Sequence, residues 1–187
     1  LAVARHWAHV PTAQEKALQA LVRRCDPGGP PGLTAKNRAA LRRLEDDPVL
    51  VAKLLALPER LARGLERKGA AAAVPLTRAE ALRLQTALAI AILLAAPIRI
   101  ANLVGLRLDR HLLRSSGGPG EGPRLRLVLP AAEVKNNRDL EHPLPPWVVA
   151  LLDRYLAQAR LVLGPRPGPW LFPGAQDGAG KTDQALR

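Results

Sequence analysis

The chain has 187 residues, 48% of them apolar and 24% charged, with 28 Lys+Arg against 16 Asp+Glu and a formal net charge of +12. That composition is globular rather than disordered, and the length suits one or two domains. The single cysteine, Cys25, excludes a disulfide framework and a multi-cysteine metal site, and fits a reducing cytoplasm.

The first ten residues do not resemble a signal peptide, and a chain with no methionine that begins at Leu1 is expected to be a fragment. His6-x-x-His9 lacks further ligands in the sequence, so no metal is expected, and nothing calls for a cofactor. Residues 12–24 carry Ala13, Ala17, Leu18, Leu21 and Val22 at helical spacing, which predicts an amphipathic helix. A breaker-rich loop, 26–32, precedes Thr34, which caps a second helix over 35–44 bearing Lys36, Arg38, Arg42 and Arg43. Asp47-Pro48 opens a third helix with Val51, Leu54 and Leu55 as its stripe, divided at Leu57-Pro58. At 69–75 the period disappears, marking a linker between a helical region, 1–73, and a second region, 74–187.

Thr77-Arg-Ala-Glu80 spells a capping box that opens a long helix ending before Pro97. Its apolar run, 87–98, falls well short of the roughly 20 residues that span a bilayer, so it predicts a buried core helix and no membrane partner. A short helix follows over 98–106. From Arg107 the period shortens to two, with Leu125, Leu127 and Leu129 on one face of a strand. A polar turn at 135–139 returns as a third strand over 140–144. Pro145-Pro146 opens another helix with Val148, Leu151, Leu152, Tyr155, Leu156 and Ala159 facing inward, stopped near Gly164. Trp170-Leu-Phe-Pro-Gly174 is an apolar turn. The fold class expected is mainly α with a small three-stranded antiparallel sheet.

The charge points to a polyanion, and nucleic acid is preferred to an anionic membrane. The excess is even, net +6 up to Ala73 and net +6 from Val74, so no tail carries it. Genomic bias toward GC-rich codons explains arginine over lysine but not the sign. With three Trp, one Tyr and one Phe, stacking of unpaired bases is a poor fit, and duplex DNA held through its phosphates is a better one.

The informative stretch is Pro97-Ile-Arg99-Ile-Ala-Asn102-Leu-Val-Gly-Leu106-Arg-Leu-Asp109. An arginine in an apolar segment is costly to bury without partners, so Arg99 is expected to face an anion; the alternative is a structural arginine satisfied by carbonyls or a carboxylate. With the long helix before it and Val134-Lys135-Asn-Asn-Arg-Asp-Leu-Glu-His-Pro-Leu-Pro145 after the second strand, the order resembles the tyrosine recombinases, or phage-type integrases, over residues 34–187. The resemblance implies that Arg99 holds the non-bridging oxygens of a scissile phosphate. It implies that Lys135 protonates the 5′-oxygen leaving group as general acid, where the residue alone reads as a solvated turn lysine. It also implies core-DNA binding by 1–73, the first part of a catalytic domain in 74–187, and a tetramer on two duplexes for a complete protein, this chain alone being monomeric or weakly associated. Asn102 departs from the family, which commonly has an acid there. The family's His-x-x-Arg box and nucleophilic tyrosine follow the Leu-Phe-Pro-Gly segment and are not within the chain, so DNA binding without cleavage is expected. His111-x-x-Arg114 matches the spelling in the wrong place, and Tyr155 reads as a core residue. A non-enzymatic helical DNA-binding regulator using Lys36, Arg38, Arg42 and Arg43 is the second reading, and an interaction domain whose basicity is only genomic bias the third.

Overall fold

The computed structural model describes residues 11–25, 34–65, 75–116, 124–164, 166 and 168–186. The His6-x-x-His9 pair, the 26–32 loop and most of the expected linker at 69–75 lie outside the described residues. The protein is mainly helical with one three-stranded antiparallel sheet, as its periodicities predict. It divides into two compact units after Pro48.

The first unit holds α1, Thr12–Cys25, and α2, Ala35–Asp46. Thr34 caps α2 as expected, its hydroxyl accepting from the Asn37 amide at 3.3 Å. No residue of α2 is buried, and Leu18, Leu21 and Leu41 are exposed, so the amphipathic stripes read from the sequence are not packed away.

The second unit contains α3, Pro48–Leu55, and α4, Leu57–Ala62. Sequence grouped these with the first region, but Ala62 and Leu65 are buried and belong to the apolar core of the second unit. The centre of that core is α5, Arg78–Ala95, which packs against α4, against α7, Pro146–Gln158, and against α8, Arg160–Leu163. Ala81, Leu84, Ala87, Leu88, Ala91 and Ile92 are wholly buried along one face, while Leu82, Arg83 and Thr86 on the opposite face are exposed. The predicted capping box is present: Thr77 Oγ1 accepts from the Glu80 amide at 3.3 Å, and Glu80 Oε2 accepts from the Thr77 amide at 2.9 Å.

After Pro97 comes α6, Ile100–Val104, then a turn leading into the sheet of β1, Leu112–Ser115, β2, Arg124–Leu129, and β3, Leu140–Leu144, in that order. Leu125, Leu127 and Leu129 are buried, matching the period of two. Leu127 stands opposite both Leu112 and His142, and Leu125 opposite Leu144. Pro143, which has no amide hydrogen, is tolerated because β3 is an edge strand. From α7, Val148, Leu151, Leu152 and Tyr155 point into the core, where Leu171 and Phe172 meet them. The chain closes with α9, Asp183–Leu186.

Candidate nucleic-acid interface

Pro97 sets the position of Arg99. The residue before a proline is pushed out of the helical region, and Ala96 is extended (φ −135°, ψ 101°), ending α5. Ile98 then turns into the core, and Arg99, extended itself (φ −72°, ψ 151°), becomes the N-cap of α6, its carbonyl accepting from the Leu103 amide at 2.9 Å. The Arg99 side chain is consequently exposed, although the segment around it is apolar. Among the described residues it has no protein partner.

The carbonyl-satisfied arginine considered as the alternative does exist elsewhere, as Arg160 and Arg83 show. Arg160 donates from Nε to the Trp170 carbonyl at 3.0 Å and from Nη2 to the Gly168 carbonyl at 2.6 Å. Arg83 donates to the Leu61 and Arg63 carbonyls, each at 2.7 Å, tying α5 to the end of α4. No period or motif distinguishes these two in the sequence, because their acceptors are backbone atoms brought close only by folding.

Arg99 shares a cleft of about 160 Å³ with Pro97, Asn102, Val134, Asn136 and Leu140. The far wall is the connection from β2 to β3, and its shape is locally determined. Residues 131–133 form a single 3₁₀ turn whose first amide donates to Asp139 Oδ1 at 2.7 Å. The Asn137 amide donates to the Val134 carbonyl at 3.1 Å, and Asn137 takes a left-handed backbone (φ +49°), a conformation asparagine tolerates. Val134 is buried and anchors the turn. Lys135, between two cleft-lining residues, is exposed and has no protein partner among the described residues.

Asn102 connects the two walls, its Nδ2 donating to the Glu133 carbonyl at 2.8 Å. The Glu133 carboxylate lies 2.6 Å from Arg110 Nη2 and 3.0 Å from His111 Nε2. His111 is buried, and its Nδ1 accepts from the Arg107 amide at 3.0 Å, so in the neutral ring the proton is on Nε2. That nitrogen is within ion-pair distance of Glu133 but off the line of a hydrogen bond. Burial pushes the imidazole pKa below its ordinary value, against the upward pull of the carboxylate. His111 is thus buried beneath the hairpin and hydrogen-bonded to the Arg107 amide, while Arg114 pairs with Asp153. Sequence reasoning passed over His111 and Glu133 as partners because 22 positions separate them.

Tyr155, the only tyrosine, is fully buried, with its hydroxyl donating to the Leu171 carbonyl at 3.2 Å and its ring centroid 6.0 Å from that of Phe172. Burial pushes its pKa above the ordinary phenol value and leaves its hydroxyl inaccessible to an outside phosphate.

In the first unit, Lys36, Arg38, Arg42 and Arg43 are all exposed on α2. Arg38 and Arg42, one helical turn apart, line a shallow groove with Ala35 and Ala39. Among the described residues no group of three or more His, Cys, Asp or Glu could hold a metal, and no helix is long and apolar enough to cross a membrane. Comparison with family models, with curated proteins and with solved structures finds no match.

Proposed function

We propose that the chain binds duplex DNA as part of a tyrosine recombinase, with Arg99 gripping a backbone phosphate and Lys135 beside it. One observation supports this above the others. Arg83, Arg107, Arg110, Arg114, Arg126 and Arg160 are all engaged by protein acceptors, whereas Arg99 is exposed and unpartnered at a cleft lined also by Val134 and Asn136, the chain neighbours of Lys135. A planar guanidinium matches the non-bridging oxygens of a phosphate in a two-pronged bond. In a complete recombinase the same fork would stabilise charge growing on the pentacoordinate phosphorus, and the Lys135 ammonium would give its proton to the departing 5′-oxygen. With Tyr155 buried, these 187 residues offer no tyrosine to attack, so the activity proposed for them is binding without strand cleavage.

The reading is tested by measuring affinity for a duplex oligonucleotide across a salt series. Wild type should lose affinity steeply, and Arg99→Ala should bind about 10- to 100-fold more weakly, as expected for a lost charged hydrogen bond. Its log–log salt slope should be shallower by about 0.9, the loss of one phosphate contact. A flat salt response in wild type would sink the DNA reading altogether.

The exposed cations of α2 favour a second reading, a non-enzymatic helical DNA-binding regulator. On that reading the same salt series shows weakened binding when Lys36, Arg38, Arg42 and Arg43 are changed to glutamine, and none when Arg99 is changed.

A further inference from the structure

At the opposite end of α5 from Arg99, a second cleft of about 280 Å³ is lined by Arg78, Leu82, Gly174, Gly180, Lys181 and Thr182 among others, with no acidic side chain among the described residues of its wall. Neither the Arg78 nor the Lys181 side chain has a hydrogen bond or ion pair among the described residues.

The floor of this cleft is a hydrogen-bonded glycine ribbon. The Lys181 amide donates to the Phe172 carbonyl at 2.9 Å, the Gly174 amide donates to the Ala179 carbonyl at 2.8 Å, and Pro173 pairs with Gly180 between them. The two strands of the ribbon approach so closely that a Cβ on Gly174 would lie 2.5 Å from the Gly180 carbonyl oxygen. On the other side, a Cβ on Gly180 would come within 2.9 Å of the Trp170 ring. Lys181 is therefore held by its own backbone next to Arg78, with its stem half-buried. Thr182 Oγ1 accepts from the Ala185 amide at 3.3 Å, which leaves the hydroxyl hydrogen free to be donated.

Two like charges converging on one cleft repel, and a half-buried ammonium has lost part of its hydration. Burial, and after it the charge of Arg78, both pull the Lys181 pKa below the ordinary lysine value. An arrangement that disfavours the charged lysine in the free protein is relieved by an anion placed between the two cations.

We propose that this cleft binds a phosphate-type oxyanion, held by Arg78 and Lys181 with the Thr182 hydroxyl as a third donor. It is separate from the Arg99 cleft: the helix between the two has an axis of about 26 Å, so one phosphate cannot serve both. The oxyanion is supplied either by a DNA backbone or by a free phosphate compound. Only the first source rests on the DNA reading given above.

The full chain is titrated with inorganic phosphate at constant ionic strength while amide resonances of residues 180–182 are followed. In parallel, wild type, Arg78→Gln, Lys181→Gln and Lys181→Arg are compared for duplex binding across a salt series, with thermal unfolding as the check that each is folded. If DNA fills the cleft, each glutamine variant shows a log–log slope shallower by about 0.9 than wild type, and the arginine variant keeps the wild-type slope. If a free phosphate fills it, residues 180–182 shift saturably in wild type and Lys181→Arg, not in Lys181→Gln, while DNA binding is untouched. Saturable phosphate binding in a wild type that shows no salt-dependent DNA affinity overturns the DNA reading and supports the oxyanion site. Unchanged DNA slopes in folded glutamine variants, together with no saturable shift in wild type, overturn the site.

Discussion

Asn102 joins the two walls of the Arg99 cleft, and its geometry explains why an amide is suited to this position. Its Nδ2 donates to the main-chain carbonyl of Glu133 at 2.8 Å, a bond an ionised carboxylate cannot make. Glu133 is thereby held twice, through its carbonyl by Asn102 and through its carboxylate by Arg110, immediately before the turn that carries Lys135. Asn102→Asp would place two acceptors against each other in a partly buried site. We expect a loss of about 1–3 kcal/mol at neutral pH, measured by urea denaturation. A protonated Asp can donate, so the deficit relative to wild type should narrow as pH falls through about 4. An aspartate variant equal to wild type at pH 7 would show that this bond contributes nothing.

At the scale of elements, α5 relates the two clefts, since Arg78 lies in its first turn and Arg99 just past its end. Both ends are fixed by local chemistry, the capping box at Thr77 and the proline at 97. Removing the cap with Thr77→Ala should cost about 1 kcal/mol, seen as a lower denaturation midpoint with an unchanged slope, while Thr77→Ser should keep most of the stability. Because that end also carries Arg78, the alanine variant should weaken phosphate-dependent shifts at residues 180–182 more than it affects Arg99. The ribbon under Lys181 is a different kind of element, held by close backbone approach rather than by a regular period, with Gly174 and Gly180 as its requirement.

Over the whole molecule, burial is uneven between the two compact units. Wholly buried side chains cluster around α5 and β2, whereas α2 has none. Amides of α5 between Leu84 and Ile92 should therefore exchange with solvent only through global unfolding, and those of α2 through local opening, several orders of magnitude faster. Equal protection of the two in a native-state hydrogen-exchange series would contradict that division. The net charge of +12 also acts at this scale, since a strongly basic surface speeds and strengthens encounter with any polyanion irrespective of which side chains finally touch it.

The elements of this protein were legible in its sequence because each is specified by neighbours. Thr34 and Thr77 announce helix starts, Pro97 a helix end, and the alternation of Leu125, Leu127 and Leu129 a half-buried strand. Arg99 stood out in the same way, as a cation in an apolar run, although its exposure did not follow from that run. What only the tertiary structure decided were the relations between distant residues. These are the sharing of α4 with the second unit's core, the engagement of Arg83 and Arg160 by backbone carbonyls, the Glu133 junction with Asn102 and His111, and the convergence of Arg78 with Lys181. A helical or strand period reports which way a side chain leaves its own backbone, but a hydrogen bond or a repulsion between side chains depends on which other element arrives opposite.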